Sequence, residues 1–383
     1  MPFPAGLTDR PLTRDDLPAV AALYAAAEQV DDTGEHHDAH DLAEYWFAPY
    51  VEAEHDVRVV LDGADVGAVG ATVAPPTFRD AYAVHLDGRV HPARRGDGIG
   101  RALLDWQVDR GRAIHAARHP EAPGRLTVLA QATIAGQEGL LRRAGFAPAR
   151  WFQQMSRPLT GLPEPRTVEG VQLVPFEWAR DEQVRHAHNA AFTEHYGSSE
   201  RDRTSWEAMF TGQRAFRPDL SVLAVGDGDV LGYVLAYVHD ADTAATGEVD
   251  AYYGQIGVVP AARGRGLSKA VIAAALAAAS AAGCASASLE VDTDNVSDAQ
   301  CLYEAMGFRV RRTQVSWSVQ LAPQGWPTSR VRAWSLWISS HRRGWTPGWP
   351  PAPTGRSSRC TPTTTSAPSS TSSSRRPGCG RAG

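Results

Sequence analysis

The chain has 383 residues, of which 43% are hydrophobic, and its formal net charge is −5 at pH 7. This length exceeds that of one ordinary domain, so we expect two domains with buried cores. The charge gives no reason to expect a nucleic-acid partner, and the sequence lacks the apolar run of about 20 residues that a membrane span needs. The start lacks a signal-peptide pattern, and the four cysteines lack metal-ligand spacing, so we expect a cytoplasmic protein without a metal.

Helix and strand patterns alternate from about residue 7 to residue 160. Thr13 and Asp16 form a capping-box pattern that predicts an amphipathic helix, and a second helix is expected over residues 38–47. Three strand-like runs follow: DVRVVL, DVGAVGATVA and AYAVHLDGRV. A glycine-rich turn then leads into the helix GRALLDWQVDRGRAIHAA. The strand RLTVLAQA, the helix EGLLRRAGF and the strand ARWFQQMSRPL complete this unit.

The same order of elements returns after a proline-rich linker at 161–167. The segment HPARRGDGIG at 91–100 resembles VPAARGRGLS at 259–268, and RRAGF ending at Phe146 resembles YEAMGF ending at Phe308. Two landmarks in the same order and at similar spacing indicate an internal duplication. We therefore predict a first domain over 7–160 and a second over 168–321, each with its last strand completing its own unit.

The character of the chain changes over residues 322–383. Proline, serine, threonine, arginine and glycine replace the alternating patterns, and such a segment cannot bury a core. We predict a disordered tail, which is either an interaction segment or an out-of-frame translation of GC-rich DNA. We favour the second interpretation because the repeat has already completed its last strand. An intact mass of the native protein distinguishes the two.

A glycine-rich turn, Arg263–Ser268, follows an apolar strand and opens an alanine-rich helix. The first amides of a helix have no internal acceptor, and the helix dipole is positive there, so this turn predicts a pyrophosphate cradle. Arg263 and Arg265 add positive charge for phosphate oxygens. A plain tight turn is the alternative. A dinucleotide fingerprint would need a third glycine, but Lys269 and Arg101 occupy its place in the two turns.

Three motifs of the second unit together resemble the GNAT acetyltransferase superfamily. They are the turn Arg263–Ser268, the strand end Asp292-Thr293-Asp294-Asn295 and the segment LYEAMGF over Leu302–Phe308. The resemblance is strong over about 165–320 and weaker over 7–160. It implies an α/β fold with two tandem GNAT-like domains, each a mixed, splayed β-sheet flanked by helices. It also implies acetyl-CoA as cosubstrate and transfer of the acetyl group to a primary amine.

The resemblance further implies a cofactor site in the second domain. Its members, besides the two arginines of the turn, are Ile256, Gly257, Val258, Gly264, Gly266, Leu267, Ser268 and Asn295. Tyr303 occupies the place of a tyrosine that protonates the departing thiolate. A phenol with a pKa of about 10 can donate to a thiolate whose conjugate acid has a pKa of about 8.5. Simple packing of Tyr303 on a helix face is the alternative.

The incoming amine must lose a proton before it attacks, and the base stays open. Six candidates lie on or near the central strands of the second unit: His239, Asp240, Asp242, Glu248, Asp250 and Glu290. The segment from Glu35 to His40 is rich in histidine and acids, but we interpret it as a solvated loop because a second ligand cluster is missing.

The first unit keeps the glycine-rich turn, with Arg95, Gly96, Gly98 and Gly100 as a candidate second cofactor site. Leu141 stands where Tyr303 stands in the second unit, and Thr133 stands in the place of Asn295. A leucine cannot protonate a thiolate. We therefore predict that the first domain is not catalytic.

The tandem arrangement is similar to that of mycothiol synthases and their actinobacterial relatives. That family holds an amino-sugar-derived substrate partly through a lysine and a glutamate on its central strands. Here no lysine lies on those strands, and Tyr252 stands about where the glutamate would be. We expect a small-molecule amine as acceptor and a monomer or homodimer. A non-catalytic acyl-CoA-binding regulator and a protein acetyltransferase are the alternatives.

Overall fold

A computed structural model of the chain describes residues 3–134, 136–193, 198–294 and 299–327. The first half contains β1 (Leu7–Pro11), α1 (Leu17–Asp31), α2 (Ala39–Trp46), α3 (Ala53–Asp56), β2 (Val57–Asp62), β3 (Asp65–Val73), β4 (Tyr82–Val90), α4 (Ile99–Arg118), β5 (Gly124–Gln131), α5 (Gln137–Arg143) and β6 (Ala147–Pro158). The second half contains β7 (Gln172–Pro175), α6 (Asp181–Ala191), α7 (Arg203–Trp206), β8 (Val222–Gly226), β9 (Asp229–Tyr237), α8 (Asp240–Thr246), β10 (Asp250–Val258), α9 (Leu267–Ala281), β11 (Ser286–Asp292), α10 (Ala299–Ala305) and β12 (Arg309–Leu321). The predicted tail lies outside the described residues from 328 onward.

The strands of both halves form one twelve-stranded sheet in the order β1-β2-β3-β4-β5-β12-β6-β11-β10-β9-β8-β7. The outermost strands, β1 and β7, were not predicted from the sequence. Both are short and end at a proline, which is tolerated at a sheet edge but weakens a strand pattern.

The last strand of each half is exchanged. Strand β6 pairs antiparallel with β11 of the second half, β12 pairs antiparallel with β5 of the first half, and the two exchanged strands pair with each other. The prediction that each last strand completes its own unit is therefore wrong. Alternation of side chains locates a strand and its buried face, but it does not select between two equivalent neighbouring edges.

The hydrophobic cores of the two halves show the same exchange. Met155 and Leu159 of the first half lie in the core of the second, whereas Val315 and Trp317 of the second half lie in the core of the first. Each fully buried apolar side chain contributes about 1.5–3 kcal/mol, so the exchange joins the halves through burial as well as through the sheet.

The sheet opens at two places where parallel neighbours diverge. Strand β4 pairs with β5 only over Tyr82–His85, and β10 pairs with β11 only over Asp250–Tyr252. Beyond these pairs the backbone of β4 and that of β10 each border a gap. The predicted splay is therefore confirmed.

Candidate active site

The turn before α9 has the backbone that a phosphate cradle requires. Gly264 and Gly266 have φ values of +79° and +83°, and Gly266 is the N-cap of the helix. A Cβ atom at either glycine would meet nothing within 4 Å, so the space beside the turn is open. Glycine is favoured here by the left-handed backbone rather than by crowding. The unpaired first amides of α9 can therefore approach an anion closely.

The two turns share this backbone but differ in charge. Gly96 and Gly98 of the first turn have φ values of +94° and +88°. In that turn Arg95 forms two hydrogen bonds with the carboxylate of Asp31, at 2.6 and 2.7 Å. In the second turn Arg265 donates to the backbone carbonyl of Glu169 at 2.9 Å. Because a carbonyl is neutral, the second turn keeps more positive charge for a phosphate.

A β-bulge distinguishes the fourth strands of the two halves. The pairing of β10 with β9 shifts register between Tyr253 and Gln255, whereas β4 pairs with β3 without a shift from Ala68↔Val90 to Val73↔His85. A bulge inserts an unpaired residue and re-aims the strand after it. Gly254 fits there because a Cβ atom would lie 2.8 Å from the ring of Tyr237.

The predicted pantetheine-binding residues directly follow this bulge. Ile256, Gly257 and Val258 pair with β9 on one side, and their other side borders the gap toward β11. A strand that lines such a gap can offer backbone groups to an extended ligand.

Tyr303 lies on α10 and packs beside the same gap. It is 8% exposed and belongs to a core that contains Leu289 and Val291 of β11, with Ile256 and Val258 of β10 packed against it. Burial raises the pKa of its hydroxyl to about 12. The hydroxyl therefore stays protonated at neutral pH, as a proton donor must.

The first half repeats the turn after α10 with a different side chain. The amide of Phe308 donates to the carbonyl of Tyr303 at 3.0 Å, and that of Phe146 donates to Leu141 at 2.9 Å. Leu141 is 2% exposed, so it fills the equivalent place with an apolar group. The predicted cofactor residue Asn295 lies outside the described residues.

The other face of the central strands borders a cavity of about 1840 Å³. Its lining comes from both halves and includes His85, Arg89, Arg95, Gly96, Gly98, Gly100, Gln154, Ser156, His239, Asp242, Glu248, Asp250, Tyr252, Ser286, Ser288, Glu290, Arg311, Arg312 and Gln314. The turn before α9 and Tyr303 are not part of this lining. They lie toward the face that α9 and α10 cover, and the gap between β10 and β11 lies between the two groups.

The six candidate bases differ in their position relative to the cavity. Five of them line the cavity, whereas Asp240 does not and lies 3.5 Å from Arg214. Asp250 accepts hydrogen bonds from the hydroxyls of Ser286 and Ser288. Burial, with the nearby charges of Glu35 and Asp292, raises the pKa of Glu290 to about 7.

Residues 35–38 form a loop, as expected, and His40 is exposed, but the loop is half-buried and contacts the second half, so the expectation that it is solvated is wrong. Glu35 accepts hydrogen bonds from Gln314 at 2.5 Å and from Arg89 at 3.4 Å. The His36 ring lies 2.9 Å from Asp242. Within the described ranges no group of three or more histidine, cysteine, aspartate or glutamate side chains is arranged to hold a metal ion.

The sequence analysis did not identify the polar side chains by which the exchanged strands line the cavity. Gln154 and Ser156 of β6, and Gln314 and Ser316 of β12, recur at every second position and line the cavity. This period-two spacing was visible in the sequence, but an ordinary solvent-facing strand shows it as well.

Comparisons with known proteins agree with this geometry. A model described as "Acetyltransferase (GNAT) family" matches residues 182–308. The mycothiol acetyltransferase of Frankia alni is 30% identical over 346 residues, which cover 82% of this chain and 95% of that protein. The mycothiol acetyltransferase of Streptomyces coelicolor is 31% identical over 316 residues, covering 81% and 93%.

Solved structures share the fold at lower identity. A GCN5-related N-acetyltransferase from Sphaerobacter thermophilus has a TM-score of 0.67 and 22% identity, covering 84% of this chain and 98% of that one. A tandem GNAT protein from the clavulanic acid biosynthesis pathway has a TM-score of 0.62 and 20% identity, covering 83% and 99%. In the part of the chain that the structure describes, no helix is both long and apolar enough to cross a membrane. The chain belongs to the GNAT acetyltransferase family in its tandem-domain form, and it is an acyl-CoA-dependent N-acetyltransferase.

Proposed function

We propose that the second half transfers the acetyl group of acetyl-CoA to the primary amine of a small molecule bound in the central cavity. One observation carries this proposal. The gap between β10 and β11 has the glycine-rich turn and Tyr303 toward one face and an acid-lined cavity toward the other. A thioester held in that gap would meet an amine that arrives from the cavity.

The cofactor would be held mainly by backbone groups. The amides of Gly264, Gly266, Leu267 and Ser268 would bind the pyrophosphate, with Arg263 and Arg265 beside them. Ile256, Gly257 and Val258 would bind the pantetheine arm along the edge of β10. When bound, acetyl-CoA supplies an electrophilic thioester carbonyl and a thiolate leaving group.

Residues of this chain would then transfer the protons of the reaction. The amine nitrogen bonds to the thioester carbon, and the carbon–sulfur bond breaks as the tetrahedral intermediate collapses. Tyr303 donates its hydroxyl proton to the sulfur and recovers the proton that the nitrogen loses. Leu141 can do neither at the equivalent place in the first half. We therefore place the chemistry in the second half and regard the turn Arg95–Gly100 as a candidate second cofactor site only.

Two observations favour a small acceptor over a protein side chain. The segment from Glu35 to Asp38 contacts both halves along the cavity, and Arg214 of the second half lies 2.8 Å from Asp38 and from Asp41 at the start of α2. A free small molecule can enter a cavity that is bridged in this way more easily than a folded protein can. The relatives compared above also carry a small molecule, mycothiol, in their name.

The test is thiol release from acetyl-CoA by the full chain with a panel of amines. The panel holds aminoglycosides, polyamines, amino acids and cysteinyl-glucosaminyl inositol. We expect release with one class of small amine and a matching acetylated product in the mass spectrum. Tight acetyl-CoA binding without release from any amine would favour a regulatory binding module. Release only with protein substrates would refute the small-molecule acceptor.

A further inference from the structure

We propose that Glu290 is the general base of the second-half active site and that Glu35, which the first half contributes to the same cavity, influences it through its charge. This inference rests on the proposed function. It assigns the proton acceptor for the incoming amine, and it gives the first half a part in the chemistry of the second.

The position of Glu290 follows from the strand register. Ser288 is paired with Tyr252 in the last residue pair before β10 and β11 diverge. Glu290 lies two residues further along β11, so its side chain points to the same face as that of Ser288. Both side chains line the cavity. Glu290 is therefore at the mouth of the gap on the side from which the acceptor would arrive.

The other candidate bases already have partners. Both Asp250 oxygens accept hydrogen bonds, one from Ser286 and one from Ser288. Asp242 binds both the ring and the backbone amide of His36, at 2.9 and 3.1 Å.

The remaining cavity candidates differ in position or contacts. The His239 ring stacks on the ring of Tyr237 with centroids 6.5 Å apart. Glu248 lies between α8 and β10, outside the strands. In the described ranges Glu290 accepts no hydrogen bond and forms no ion pair, so its oxygens remain available to a ligand.

The surroundings of Glu290 suit a base that works near neutral pH. The Glu290 side chain is accessible from the cavity, but desolvation by the surrounding walls and the like charges of Glu35 and Asp292 raise the pKa of its carboxyl group to about 7. Other titratable or charged side chains in the lining of this cavity include His36, Arg89, His239, Asp242, Glu248, Asp250, Tyr252, Arg311 and Arg312. A base with this pKa accepts a proton from an alkylammonium of pKa about 10.4 far more readily than an ordinary glutamate does.

The proton transfer balances without a further reactant. The acceptor ammonium gives one proton to the Glu290 carboxylate, which frees the nitrogen electron pair to attack the thioester carbon. After the acetylated product leaves, Glu290 releases that proton to water in the cavity. The second proton of the nitrogen reaches the sulfur through Tyr303, as proposed above.

Glu35 acts on Glu290 through its charge. It is held in the cavity by Gln314 and Arg89, on β12 and β4. A nearby negative charge disfavours ionisation of a carboxyl group, so removing that charge lowers the pKa of Glu290. Gln314 and Arg89 donate to different oxygens of Glu35, and glutamine retains one of the two. The variant Glu35→Gln thus removes the charge while retaining an acceptor for Gln314.

The experiment compares pH profiles of kcat/KM for the full-length wild type, Glu290→Gln, Glu35→Gln and the control Glu248→Gln. The control removes a carboxylate from the same cavity, and its charge is not among those that raise the pKa of Glu290. We expect Glu290→Gln to lower kcat/KM at pH 7 by about 100-fold or more while acetyl-CoA affinity is unchanged. Its residual activity should rise steadily with pH toward the pKa of the amine.

We expect Glu35→Gln to move the acidic limb of the profile to lower pH by about half a unit, because a like charge has been removed. Glu248→Gln should leave the limb in place. A Glu290→Gln enzyme with the wild-type rate and limb would overturn the assignment of the base while leaving the proposed function intact. An unmoved limb in Glu35→Gln would overturn the role of Glu35. A wild type inactive toward every amine would overturn the proposed function itself.

Discussion

Replacing Tyr303 with phenylalanine removes one oxygen from a side chain that is 8% exposed and otherwise packed in an apolar core. The ring packs against Phe308 with centroids 6.1 Å apart, and phenylalanine can keep that contact. A hydrogen bond to a charged group contributes about 1.5–3 kcal/mol. Loss of one such bond to the developing thiolate therefore predicts a decrease in kcat of roughly 10- to 150-fold, with acetyl-CoA affinity nearly unchanged.

The pH dependence of this loss is also fixed by the structure. Because burial raises the pKa of Tyr303 to about 12, the hydroxyl stays protonated throughout the range in which the enzyme can be assayed. The ratio of wild-type to variant kcat should therefore be constant from about pH 6 to pH 10. The assay is thiol release under saturating acetyl-CoA, together with calorimetric titration of acetyl-CoA binding.

Tyr253→Phe is the matched control for this prediction. Tyr253 lies in the same core and is 2% exposed, and its buried hydroxyl has no hydrogen-bond partner in the structure. Removing that hydroxyl should leave turnover at the wild-type level and should not lower stability. A Tyr303→Phe enzyme within twofold of the wild-type kcat would refute the role of Tyr303. An equal loss in Tyr253→Phe would show that the effect comes from packing.

Three further predictions concern the turn before α9, the exchanged strand β6 and Glu290. Gly266→Ala should weaken acetyl-CoA binding about tenfold or more. The control is Gly283→Ala, where φ is +85° and the space beside the glycine is equally open; both variants should lose about 1–2 kcal/mol of stability, but the control should keep its affinity for acetyl-CoA. If calorimetry gives the two variants the same acetyl-CoA affinity, the turn has no cofactor role. Arg157→Met removes the charged donor to the backbone carbonyl of Met306, which follows α10. Denaturant unfolding should therefore show that the free energy of unfolding falls by about 2–4 kcal/mol. A decrease below about 0.5 kcal/mol would count against a stabilising role for this contact. Because the pKa of Glu290 is raised to about 7 in the folded state, ionisation of this carboxyl group opposes folding. Glu290→Gln should therefore raise the melting temperature more at pH 8 than at pH 5. An equal rise at the two pH values would contradict the raised pKa.

Much of the fold and part of the candidate site could be predicted because the signals are local. Alternation along β11 separates Ala287, Leu289 and Val291 from Ser286, Ser288 and Glu290, and the strand has that periodicity in any context. The glycines of both turns adopt positive φ, as expected of glycine at a strand-to-helix junction. Most of the order of elements, the duplication and the GNAT family therefore followed from the sequence itself.

Only the tertiary structure decided which strands exchange and what lies across the cavity. The pairing of β12 with β5 joins residues nearly two hundred positions apart, and the edges available to β6 and β12 have the same backbone chemistry. Glu35 joins Gln314 and influences Glu290 only because the two halves dock with one shared sheet between them. Such contacts depend on how whole surfaces fit together, and no local pattern in the sequence encodes that fit.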